Sequence, residues 1–269
     1  MGFFSQLTAR LGRCKRLIGI ASLGLCVASL GCSSKSKHAR QRLAPLTAPS
    51  WRIQLPVSGF GPATVALPLG ATTPRPIVVV VHGARDRAEW QCGTFRGLFG
   101  GQVFILCPQG VLQSAQGGLY GLGTFDETAA ELRAALGALK ARFGKHVAAS
   151  PVVLIGYAEG AAVAADLAPQ EPSFFARVAL VNGNPAAFTS IASKTFAERG
   201  GKRVLFFCTS AACQDSATER KLMLSRGGVV TKIAHGAVGP YLDAAFVDAL
   251  REEVPWLVEG DARFGKARH

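Results

Sequence analysis

The sequence predicts an α/β domain: a mostly parallel, doubly wound sheet with helices on both faces, opened by an antiparallel hairpin and lacking a large lid domain. Three observations predict it. Apolar runs at residues 76–81, 103–107 and 151–155 are continuous rather than alternating, as strands covered on both faces are. Segments with helical spacing separate these runs, the βα alternation of a parallel sheet. At 269 residues, 49% hydrophobic and 17% charged, the chain is long and apolar enough for one large core.

Taken in order, residues 51–57 and 63–67 alternate in polarity around Ser58-Gly59-Phe60-Gly61-Pro62, the pattern of a hairpin. The β-branched run 76–81 is the first doubly buried strand and 103–107 the second. A helix is expected over 127–143, with Asp126 as its N-cap, Leu132, Leu136 and Leu139 on one face and Gly144 at its end. The strand at 151–155 turns sharply into a helix over 160–167. Strands at 177–181 and 203–207 follow, then a weaker one at 229–233, with helices between them. A helix over 241–250 closes the chain, and Pro255-Trp256-Leu257 packs behind it. No internal repeat is present.

The net charge of +13 raises the question of nucleic acid, but its distribution answers it. Arg10, Arg13, Lys15 and Arg16 precede an apolar run over residues 17–31, and Lys35, Lys37, Arg40 and Arg42 follow it; the first acid is Asp86. Eight of the thirteen net charges thus belong to the first 50 residues. The body has no basic cluster interleaved with aromatics, so nucleic-acid binding is not expected. The leading segment reads as an export signal over residues 1–31, whose apolar run 17–31 is short for a stable span. Cys32, with Gly31 before it and Ser33-Ser34 after it, resembles the lipidated cysteine of a bacterial lipoprotein, although Ser29 stands where Leu is usual. Ordinary signal cleavage or an uncleaved anchor are the competing readings. Residues 32–50 then form a flexible basic tether and 51–269 the folded domain, hung from the periplasmic side of a bacterial envelope membrane.

Of seven cysteines, Cys14 and Cys26 leave with the signal and Cys32 is reserved for lipid. Cys92, Cys107, Cys208 and Cys213 remain, an even number suited to disulfides outside the cytoplasm. Three pairings are possible, and Cys92–Cys107 with Cys208–Cys213 is favoured because each links a strand end to a neighbouring loop. Four free thiols are the alternative. No cysteine or histidine spacing suits a metal, and no cofactor is implied.

The most informative stretch is Leu154-Ile155-Gly156-Tyr157-Ala158-Glu159-Gly160-Ala161-Ala162. A strand, a tight turn and a helix carry glycines two positions either side of a central residue. That is the frame of G-x-S-x-G, in which glycines relieve crowding round an exposed middle side chain. Here the middle residue is Ala158. With these residues the chain resembles the α/β-hydrolase superfamily, in particular the small bacterial esterase and polyhydroxyalkanoate-depolymerase-like branch. The resemblance spans nearly all of residues 51–257 and implies that fold. It implies an oxyanion loop at His82-Gly83-Ala84, a second oxyanion donor in the Glu159 backbone N–H, and a catalytic base at His235. The acid is expected after the strand at 203–207, where Asp215 is the only carboxylate.

Each assignment has a plainer competitor. The glycine turn could be of Rossmann type, but it lacks the middle glycine of G-x-G-x-x-G. His82 could serve only to shape its loop, His235 could be a surface residue, and Asp215 could be a helix N-cap. The alanine weighs most. Acyl transfer on this fold needs an oxygen or sulfur that a histidine can deprotonate, and alanine has neither. Loss of a triad serine costs about a millionfold in kcat. The expectation is therefore a monomeric, lipid-tethered pseudo-hydrolase that binds a small molecule or acyl ligand, or serves a structural role. An enzyme using His235 without a serine, and an envelope scaffold acting through its surface, are the alternatives.

Overall fold

The computed structural model describes residues 42–114, 116–148, 150–236 and 242–264. Along the chain the elements are β1 (Arg52–Leu55), β2 (Ala63–Ala66), β3 (Ile77–Val81), α1 (Ala88–Leu98), β4 (Phe104–Cys107), β5 (Val111–Ser114), β6 (Leu119–Gly121), α2 (Phe125–Phe143), β7 (Val153–Tyr157), α3 (Glu159–Leu167), β8 (Arg177–Val181), α4 (Ser190–Glu198), β9 (Arg203–Cys208), α5 (Ala211–Arg226), β10 (Val230–His235) and α6 (Ala244–Val258). The main sheet has the order β1-β2-β4-β3-β7-β8-β9-β10. β1 and β2 form the antiparallel opening hairpin and β2 runs antiparallel to β4; every later pairing in this sheet is parallel.

Alternation along β3 divides the core in two. Ile77, Val79 and Val81 pack with Leu132, Leu136 and Leu139 of α2 and with Ala161 and Ala164 of α3. Val78 and Val80 pack on the other face with Cys92 and Phe95 of α1 and Phe246 and Leu250 of α6. All five β3 side chains are buried. Burying a valine contributes about 1.5–3 kcal/mol, which is why a strand covered on both faces is continuously apolar.

The structure departs from the expected elements in five places. Thr124, not Asp126, caps α2: its hydroxyl accepts from the Glu127 N–H while Glu127 accepts from the Thr124 N–H. That reciprocal bond holds the Glu127 carboxyl below the usual carboxylate range. Residues 42–50, expected as tether, belong to the folded unit, which begins at Gln41. Leu46 is buried in the core there, and its N–H donates to Ala71 O. The β5–β6 hairpin has no counterpart among the expected strands; it is short and irregular, with a register shift between Leu112 and Ser114. The last helix begins later than residue 241 and runs through Pro255 to Val258. β10 extends to His235 rather than ending at Ile233. The signal over 1–31 and Cys32 lie outside the described residues.

Two arginines explain how α6 ends despite its proline. Arg177, buried at the start of β8, donates to Leu257 O at 2.7 Å and Glu259 O at 2.8 Å. Arg203 at the start of β9 donates to Trp256 O at 2.9 Å. These are carbonyls that a helix C-terminus leaves without partners. Asp261 joins the cluster. Burial works against its charge, yet hydrogen bonds and charge from Arg263, with Arg177 beyond, outweigh burial and hold its carboxyl below the ordinary value. Burial also lowers the pKa of Arg177.

Candidate functional site

β7 delivers its chain into the turn at Ala158, which sits at φ 50°, ψ −114°, a backbone that L-residues with a Cβ rarely adopt. Glu159 follows as the first residue of α3, exposed, its N–H in a helical turn whose amides have no intrahelical acceptor. The turn closes only because its neighbours are glycine. A Cβ on Gly156 would stand 2.2 Å from Gly160 O, and one on Gly160 would stand 2.2 Å from Val81 O and 2.6 Å from His82 O. A Cβ on Gly183 would meet Ala158 O at 2.3 Å. The strand ends of β3, β7 and β8 therefore meet backbone to backbone beneath Ala158.

The expected oxyanion loop is at this point. A Cβ on Gly83 would lie 3.0 Å from the Ala158 methyl, so His82-Gly83-Ala84 runs directly beside the elbow. His82 itself is buried, with Nδ1 2.7 Å from Gly83 O and Nε2 2.8 Å from Gln109 O. Both ring nitrogens are thus engaged with backbone, a loop-shaping arrangement. Glu131 of α2, also buried, accepts from the Gln109 N–H at 2.9 Å and the Gly110 N–H at 3.0 Å. The loops after β3 and β4 are in this way joined to each other and to α2. Sequence reasoning missed Glu131 and Gln109; the signal for Glu131 was a carboxylate on the apolar face of α2, one residue before Leu132.

The other two expected residues stand further along the sheet. Tyr157, Val181, Phe207 and Ala234 are register partners across β7, β8, β9 and β10. One residue further along stand Ala158, Asn182, Cys208 and His235, the ladder continuing through Ala158 N–H to Val181 O, Asn182 N–H to Phe207 O and Gly236 N–H to Cys208 O. His235 is three strand spacings from Ala158, about 14 Å between backbones. It is exposed on the edge strand of the sheet. A general base has to come within hydrogen-bond distance of the proton that it takes, directly or through one water.

Asp215 is on the exposed side of α5, and it is not the cap of that helix. Ser210 caps α5, its hydroxyl accepting from the Cys213 N–H. Ala217 and Leu224 mark the buried face of that helix, and Asp215, two residues before Ala217, is about 200° round from it and exposed. Disulfides tie strand ends to helices here, where loops were the expected partners: Cys208 of β9 is bonded to Cys213 of α5, and Cys107 of β4 to Cys92 of α1. Thr209, between the cysteine and the cap, donates its hydroxyl to Asn182 Oδ1. Asn182 also has a positive φ of 51°, and nothing in the sequence motif marked it.

No protein-family model and no curated protein sequence matches the chain. Solved structures do match it. A dienelactone hydrolase-like protein from Klebsiella pneumoniae aligns at 18% identity over 80% of this chain and 99% of its own, with a TM-score of 0.56. The chain has the α/β-hydrolase fold. Est1E from Butyrivibrio proteoclasticus, solved with ferulic acid bound, aligns at 12% identity over 77% of this chain and 99% of its own, TM-score 0.55. The fluorophosphonate-binding serine hydrolase FphF from Staphylococcus aureus aligns at 13% identity over 80% and 98%, TM-score 0.55. Identities this low establish the fold; the chemistry rests on the residues described above.

Proposed function

We propose that this is an exported, lipid-anchored α/β-hydrolase-fold protein that binds a small molecule or acyl ligand in its cleft without turning it over. The observation that carries the reading is the methyl group of Ala158 at the apex of an otherwise intact elbow. The oxyanion loop, the glycine-relieved turn and the start of α3 are built as for acyl transfer, but no atom there can attack a carbonyl. The placement of His235 and Asp215 supports the same reading, since a water-activating route would need a base near Ala158. The pair of disulfides suits an oxidising compartment, as an exported protein would meet, and residues 1–32 supply the signal and the lipid-bearing cysteine.

Activity-based labelling tests it. The purified protein is expected to give no covalent adduct with a fluorophosphonate probe by intact mass, and no ester turnover across short and medium acyl chains. A probe adduct within the cleft, or turnover lost on His235→Ala, would overturn the reading. Mass spectrometry of membrane-extracted protein tests the anchor: the mature N-terminus is expected at Cys32 and to carry acyl chains.

A further inference from the structure

The end of the sheet opposite the cleft has a chemistry of its own. The chain enters the folded unit there: the Leu43 N–H donates to Thr72 O at 2.9 Å, and His146 Nε2 lies 2.9 Å from Ala44 O. Arg75 bridges to Val147 just beyond. These bonds bring residues 42–44, 72–75 and 145–147 together at one end of the sheet, and the stretches they belong to, 42–75 and 132–152, contain no aspartate or glutamate. The same end of the sheet carries Arg42, Arg75, Arg142 and Lys145, and Leu69, itself 42% exposed, lies in the turn that follows β2 there. Arg42, Arg142 and Lys145 are exposed, and Arg75 is half-buried with its Nε unbonded. Among the described residues none of the four has a carboxylate within ion-pair distance. Glu171, which reaches α2 from the loop after α3, is held by Arg133 at 2.8 Å.

Four neighbouring cations without counter-charge repel one another unless something anionic covers them. We propose that this face rests on an anionic lipid surface, with the arginines and Lys145 on headgroup phosphates and Leu69 at the interface. Two things favour lipid over another polyanion. The chain leaves the unit from this face, and the residues that precede Arg42 hold seven more cations, no acid and the apolar run over residues 17–31. The face also lacks the exposed aromatics on which nucleic-acid bases stack. Docked this way, the cleft, at the far ends of β3 and β7, opens away from the membrane. The inference stands apart from the reading of Ala158, because the face and the elbow share no residue.

The core runs from Leu46 to Leu257, so residues 41–269 make a self-contained test protein free of the leader. Its binding is measured by co-sedimentation with phosphatidylcholine vesicles, either pure or with roughly one-third phosphatidylglycerol. Binding is expected only to the anionic vesicles and is expected to weaken with salt. R42E/K145E, both positions exposed, is expected to weaken it on the order of thirtyfold. R85E/K221E makes the same change of charge at the cleft end and on α5, and is expected to leave binding within about twofold because screening confines the attraction to nearby charges. Equal losses in the two variants would reduce the effect to net charge and overturn the proposal. So would indifference to phosphatidylglycerol, or tighter binding to a single-stranded oligonucleotide than to the vesicles. Thermal unfolding of each variant confirms that the loss is not one of folding.

Discussion

The two sides of the cleft end are built differently. On the β3–β7 side the backbone has a strained apex, glycine neighbours and an adjoining loop held by His82 and Gln109. On the β9–β10 side Asp215 and His235 are exposed, on α5 and on the edge strand, and a disulfide with a Thr209–Asn182 hydrogen bond ties the strand end to α5. The difference shows which part of such a site the fold itself enforces. Elbow glycines are fixed by backbone-to-backbone contact and cannot drift without unfolding the strand ends. A carboxylate or imidazole on an outer loop touches little else, so its replacement costs the fold almost nothing.

Substitutions along this divide should differ accordingly. Gly160→Ala drives a methyl into two carbonyls of β3 and the residue after it, and should lower stability by about 3 kcal/mol or more, read from the denaturant midpoint. Gly236→Ala on the other side meets the Phe207 ring, which can shift, and should cost roughly 1 kcal/mol. Equal effects would erase the contrast. Removing the Cys208–Cys213 bridge as C208A/C213A should cost about 2 kcal/mol, the loop-closure contribution of so short a link.

The far ends of β8 and β9 give a control independent of the cleft. The Asp261 carboxyl is depressed in the fold, so its contribution is present at neutral pH, above the unfolded value of about 3.9, and is lost as pH falls through the folded value. Asp261→Asn should cost roughly 1–2 kcal/mol at pH 7 and flatten the acid limb of a stability–pH curve. A smaller gain is expected at the apex. Ala158→Gly relieves a φ of 50° and should raise stability by about 1 kcal/mol. Ala158→Ser should change least of all: with His235 three strands away, ester hydrolysis should stay within about tenfold of the parent, far below the millionfold of a complete triad. Strong turnover by that single variant would mean that the base side is intact, and the comparison would fail.

Much of this was legible from residue types. Continuous valine runs gave the doubly covered strands because burial on both faces leaves no place for a polar side chain, and the glycine spacing gave the elbow because the contacts that demand it are local. The pairings Cys92–Cys107 and Cys208–Cys213 followed from placing one cysteine of each pair at a strand end. What escaped depended on long-range geometry. Whether His235 reaches Ala158 is set by the length of β10 and by strand order, and a strand end one or two residues late moves a histidine out of a loop and onto an edge. Asp215 is a carboxylate near the right place in sequence, but helix phase turned it outward. The partnership of Glu131 with Gln109 and Gly110 joins residues more than twenty apart. The capping role of Thr124 was missed because Asp126, two residues on, is an equally good capping type.

That Glu131 contact bears on how the cleft would receive a guest. One carboxylate oxygen pins two successive amides, the carbonyl between them stands against His82, and His82 in turn fixes Gly83 beside the apex. The loop beside the apex is therefore already tied down by hydrogen bonds before anything arrives. Little motional freedom remains to be surrendered on association, so selectivity would come from fit to a rigid mould rather than from a lid that closes around its contents.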